Sequence, residues 1–97
     1  MRDRIWISAD LAASQDYQQM HRWLSAHDAK ECSGGLFTLF YEYHQELVSE
    51  IRNELAGLVH PAPGDRIYLI YKDPDDGEVT GMFLFGERGL SPWHNAH

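Results

Sequence analysis

Asp10 closes the run Ile5-Trp6-Ile7-Ser8-Ala9-Asp10, and Ser8, two residues earlier, lies on the same side of any strand that the run forms. One carboxylate is a poor metal site. Brought close to its symmetry mate in a homodimer, however, Asp10 would offer hard oxygen ligands suited to Mg²⁺, which could activate water and clamp a scissile phosphate. Asp10 is then both metal ligand and catalytic carboxylate, and Ser8 orients it. Two crowded carboxylates are costly unless a metal or a proton relieves them. The plainer reading is that an Asp at a strand end serves as a turn or cap residue.

Glu46, Glu50 and Glu54 recur at i, i+4 and i+8 on one side of an expected helix. Such like charges destabilise a helix by roughly a few tenths of a kcal/mol per pair, so the row is either a solvated face or a useful one. A useful version is an acidic ridge that imitates phosphates and occupies the basic groove of a protein partner that handles nucleic acid. Other polar groupings are weaker. Asp73-Pro74-Asp75-Asp76-Gly77-Glu78 looks like a calcium loop, but its glycine comes one position early and proline interrupts the ligand series, so a hairpin turn is expected. His94 and His97, with His60 apart from them, make an incomplete transition-metal set. His21 and His27 are six residues apart and read as surface or boundary positions. Cys32, the only cysteine, excludes an internal disulfide and reads as a buried structural thiol.

The elements that must position these groups follow from periodicity. Residues 5–9 form a first strand, and Ser14 caps a helix to about residue 27 with Tyr17, Met20 and Leu24 inward. A short strand at 29–32 and the turn Ser33-Gly34-Gly35 lead into a long strand at 36–43. Leu47, Ile51, Leu55 and Leu58, with Val48 beside them, mark a second helix at about 45–58, which His60-Pro61-Ala62-Pro63-Gly64 stops. Strands at 66–72 and 78–86 form a final hairpin about the turn at 73–77. One domain therefore spans 1–88, followed by an irregular tail at 89–97.

Strand, helix, strand, strand, helix, strand, with one strand appended, is the order of an α+β ferredoxin-like βαββαβ sandwich, one antiparallel sheet with both helices on one face. Several strands are apolar on both faces, so the other face lacks cover. Parity assigns Ile5, Ile7, Ile67 and Leu69 to the helices and leaves Trp6, Tyr68, Ile70, Phe83 and Phe85 open. Burying such side chains is worth roughly 1.5–3 kcal/mol each. The expected solution is a twofold homodimer stacked sheet on sheet through those five residues; the alternative is that the chain's own tail or another helix arrangement covers the face.

Composition narrows the partners. Eight Lys and Arg against fifteen Asp and Glu among 97 residues give a formal charge of −7, which repels phosphate backbones at long range and disfavours tight nonspecific nucleic-acid binding. The absence of a secretory-type start and of long apolar runs points to a cytoplasmic protein with no membrane partner.

The stretches Ile5-Trp6-Ile7-Ser8-Ala9-Asp10-Leu11, Asp16-Tyr17-Gln18-Gln19-Met20 with Leu24, and Glu50-Ile51-Arg52-Asn53-Glu54-Leu55 through Gly64-Asp65-Arg66-Ile67-Tyr68-Leu69-Ile70 resemble the small ferredoxin-like subunit of the CRISPR adaptation machinery, its SinR-like relatives and ribonuclease-type antitoxins. The resemblance covers residues 4–85 and rests on element order and pattern. It implies a homodimer with Asp10 near the twofold axis, able to hold a divalent metal. Ala9 departs from it, standing where an aromatic residue commonly precedes the acid. Two functions are expected on these grounds. The first is a dimeric acidic interaction module, an antitoxin or inhibitor of a nucleic-acid-handling protein; the second is a Mg²⁺-dependent endonuclease, cutting RNA or DNA with paired Asp10. A third use, base stacking on Trp6, Tyr68 and Phe83, fits the aromatic residues but is expected to lack accompanying Lys and Arg.

Overall fold

Alternation along the first strand decides the architecture. In the computed structural model, which describes residues 1–86, β1 (Arg2–Asp10) buries Ile5 and Ile7 completely and turns Arg2, Arg4, Trp6, Ser8 and Asp10 the other way. The expected tail at 89–97 lies outside the described residues. After β1 come α1 (Ser14–Ala26), β2 (Lys30–Ser33), β3 (Leu36–Glu42), α2 (Leu47–Ala56), β4 (Arg66–Lys72) and β5 (Val79–Phe85). The strands form one antiparallel sheet in the order β2-β3-β1-β4-β5. The fold is therefore α+β, of ferredoxin-like type with β5 added beside β4.

Both helices contribute to one apolar core. Met20, Trp23 and Leu24 of α1 and Leu47, Ile51 and Leu55 of α2 are buried with Ile5, Ile7, Leu39, Tyr41, Ile67, Leu69 and Leu84 of the sheet. Tyr17, expected to face inward, is 40% exposed; Trp23 takes its place in the stripe, three residues after Met20. Leu58 and Val48 are half-buried at the core margin.

The helix ends are held by particular groups. α1 stops in a left-handed turn at Asp28, φ 55°, where the Asp28 N–H reaches the Ser25 carbonyl at 3.1 Å and the Ala29 N–H reaches that of Leu24 at 2.9 Å. Ser14 is the first helical residue and not the cap; Ala13 precedes it without a capping side chain. α2 also lacks a capping side chain on Glu46, but Glu50 reaches back and accepts the N–H groups of His44, Gln45 and Glu46 at 2.8–2.9 Å. A carboxylate at a helix N-terminus also complements the helix dipole. Two buried carboxylates join the loops at the opposite end of the sheet, where Asp10 pairs with Arg66. Asp65 accepts the N–H groups of Ala12 and Ala62 at 3.1 and 2.9 Å, and Asp16 accepts that of His60 at 3.1 Å.

The segment at 73–78 is the expected hairpin turn. Asp73 and Asp76 side chains accept the N–H groups of Asp75 and Glu78, and Gly77 supplies a φ of 75°. Cys32 is exposed, contrary to expectation, because β2 is a four-residue edge strand with every residue at the surface. The capping arrangement makes a contrast available within the acidic row. Glu50→Ala should lower Tm by several degrees in thermal unfolding, whereas Glu46→Ala should leave Tm within roughly a degree or two of the parent.

Candidate functional site

The face of the sheet turned away from the helices is covered by no described element. Directly opposed residues in antiparallel strands share a face, so the pairings lay out rungs across it. One rung is Leu36, Ser8, Tyr68 and Phe83; the next is Thr38, Trp6, Ile70 and Gly81. Phe40 then lies beside Arg4, Glu42 beside Arg2, and at the far end Asp10 beside Arg66. Trp6, Tyr68, Ile70 and Phe83 are half-buried, and Phe40 is 43% exposed. Four of the five residues expected on the open face are therefore together there.

Phe85 is not among them. The register shifts between Ile67 and Tyr68, so that Phe85 opposes Ile67 and packs against the core. A bulge of this kind changes the side on which each later residue emerges. Tyr68 and Phe83 meet edge to face with ring centroids 4.8 Å apart. The Tyr68 ring leans over Gly81, where any Cβ would overlap it.

Cations concentrate on this surface, contrary to the expectation that the aromatic residues lack them. Arg2, Arg4, Arg66 and Lys72 sit at outward positions of β1 and β4, and Lys30 opposes Thr38 across β2 and β3. These are five of the eight Lys and Arg in the chain, against Asp10 and Glu42 as the acids on the same strand faces. The guanidinium groups of Arg2 and Arg4 lie 4.8 and 4.6 Å from the Phe40 ring centroid, a cation–π arrangement. An overall charge of −7 therefore coexists with a locally basic, aromatic face. The sequence contained the signal for it, because Arg2, Arg4 and Trp6 share parity, but a strand begun at Ile5 leaves the two arginines out.

Asp10 lies at the rim of the open face, with its side chain 74% exposed and 3.2 Å from the Arg66 guanidinium. Ser8 is half-buried on the same side, as its spacing requires. Among the described residues, no group of three or more His, Cys, Asp or Glu could hold a metal ion. Asp10 therefore belongs to no such group among them.

The acidic row is largely committed to the chain itself. Besides the Glu50 bonds at the α2 N-terminus, Glu54 accepts hydrogen bonds from Trp23 Nε1 at 2.7 Å and from the Tyr41 hydroxyl at 2.6 Å, with His27 Nε2 at 3.2 Å. This cluster joins α1, β3 and α2, and spacing along one helix gave no sign of it. Desolvation pushes the Glu54 carboxyl up, but the bonds from Tyr41, Trp23 and His27 outweigh it and hold the pKa below its usual value. Burial, followed by the bond to Glu54, pushes the Tyr41 hydroxyl strongly up. Backbone N–H groups, that of His44 foremost, hold Glu50 low as well. Among the described residues, Glu46 makes no side-chain bond of this sort. No described helix is long and apolar enough to cross a membrane.

A carboxyl with a depressed folded pKa contributes stability that is present above its unfolded value, near 4.5, and is lost as pH falls through the folded one. Urea midpoints should therefore decline below about pH 4.5, and Glu54→Gln should make that decline shallower while lowering stability at neutral pH; an unchanged pH profile would remove Glu54 as a source. Comparison with family models, with curated proteins and with solved structures gives no match to this chain, so its role has to be read from its own surface.

Proposed function

We propose that this chain is an interaction module and that the open face of the sheet is its working surface. The observation supporting this is the coincidence of Trp6, Phe40, Tyr68, Ile70 and Phe83 with five of the chain's eight cations on a face that no described element covers. Exposed apolar side chains gathered on one face, with charges around them, mark a contact surface. An acidic-ridge antitoxin or inhibitor, bound in a partner's basic groove through Glu46, Glu50 and Glu54, has less support, because two of those carboxylates serve internal donors.

A second reading is the dimeric endonuclease of the CRISPR small-subunit-like type. It is favoured by the position of Asp10, exposed at the rim of the same face. Two copies stacked through their open faces as a homodimer would bring that rim toward its mate, with Mg²⁺ bridging the carboxylates. Against it, such stacking sets each copy's excess cations facing the other's.

Purified chain incubated with Mg²⁺ and labelled RNA or DNA separates the two. The module yields no cleavage above the buffer control, identically for the parent and Asp10→Asn. Cleavage that Asp10→Asn abolishes, with circular dichroism unchanged, would overturn the proposal in favour of the endonuclease.

A further inference from the structure

We infer that the occupant of the open face is single-stranded RNA, its bases stacked on the aromatic side chains and its phosphates held by the surrounding cations. The inference rests on the open face being the working surface and goes further by naming the partner.

Charge complementarity selects the partner. A second copy would present the same five cations and two acids, so an isologous sheet-on-sheet contact would oppose like charges around its apolar centre. A polyanion reverses that sign. Most of the chain's fifteen Asp and Glu lie off this face, so a polyanion is repelled by much of the molecule and drawn to one side of it. This is steering toward a site.

The apolar centre selects single strands. Tyr68 and Phe83 share one rung and Trp6 stands on the next, roughly 7 Å away along the strands by the two-residue repeat, and all three are half-buried. A duplex keeps its base faces inside its own stack, whereas unpaired bases can lie on aromatic rings whatever their sequence. Phe40 adds a different element. Its ring already carries the guanidinium groups of Arg2 and Arg4, planar cations that can stack on a base or meet a phosphate. Arg66 meets Asp10 at a surface-exposed 3.2 Å contact; pairs of that type are weak, so a phosphate can compete for it. Ser8 beside β4 and the Tyr68 hydroxyl over Gly81 on β5 give ribose 2′-hydroxyls polar partners at two places on the face that deoxyribose could not use, which is why RNA is preferred here over DNA. Gly81 belongs to the same device, since its missing side chain leaves room for the Tyr68 ring.

The test is fluorescence polarisation of the full chain with a labelled oligouridylate of about twelve nucleotides, within the usual site-size range, at low salt, beside oligothymidylate and an RNA duplex of equal length. The expected result is saturable binding tightest for single-stranded RNA and weakening with salt. Trp6→Ala and Tyr68→Ala should each raise Kd roughly 5- to 100-fold. Arg4→Glu, at an exposed position that cannot disturb the core, should raise Kd and flatten the salt dependence by about 0.7 in log–log slope for each phosphate no longer neutralised. No saturable binding, duplex bound as tightly as single strand, or parental affinity in the folded Trp6, Tyr68 and Arg4 variants would overturn the inference. Equal affinity for oligothymidylate would overturn the choice of RNA. Sedimentation of the same variants distinguishes the two levels. A parental dimer that Trp6→Ala dissociates, with no RNA bound, makes a second copy the occupant and leaves the open-face module standing. No RNA binding and an unchanged mass in every variant removes both.

Discussion

Two helices cannot cover both sides of a five-stranded sheet, and the rest of this molecule follows from that shortage. Strand alternation sends Ile5, Ile7, Leu39, Ile67 and Leu69 to the helices, where burial is complete or nearly so. The same alternation sends Trp6, Phe40, Tyr68, Ile70 and Phe83 to the other side, half-buried or exposed, together with the cations of β1 and β4. A slip of one residue in either central pairing would exchange the two sets. Core formation and presentation of the working face are thus one event. The apolar area available to hold the helices fixes the register, and the register fixes which charges and rings stand together outside.

Polar contacts anchor the helices over that core. Glu54 on α2 gathers donors from α1 and β3; Glu50 closes the N-terminus of α2; Asp65 and Asp16 bind backbone N–H groups of loops distant in sequence. Each carboxylate meets donors that the surrounding backbone or side chains would otherwise leave unpaired, which is how acidic groups become compatible with partial burial. The acidic composition therefore has structural uses on the helix side. The basic residues, fewer in number, are concentrated on the other side.

Much of this was legible in the sequence. The α+β ferredoxin-like order, the bounds of β4 at Arg66–Lys72, the turn at Gly77 and the aliphatic set facing the helices all follow from period and turn chemistry. What escaped depends on contacts between distant segments. Phe85 changes sides because of a bulge between Ile67 and Tyr68, which alternation along β5 alone cannot reveal. Glu54 looks like a solvated residue until Trp23, Tyr41 and His27 are brought to it by packing. Cys32 is exposed because β2 lies at the sheet edge. Asp10 keeps the place that its spacing gave it, but among the described residues its side-chain partner is Arg66 and not a second carboxylate. The basic character of the open face was visible in the parity of Arg2, Arg4 and Trp6 and was hidden by the overall charge.

The central claim is that the aromatic face is open to solvent in the isolated chain. Paramagnetic broadening of the tryptophan indole N–H signals by a soluble gadolinium chelate measures this directly. The Trp6 signal should broaden strongly while that of Trp23, 4% exposed in the core, stays sharp. A Trp6 signal as protected as that of Trp23 in the monomeric protein would contradict the account.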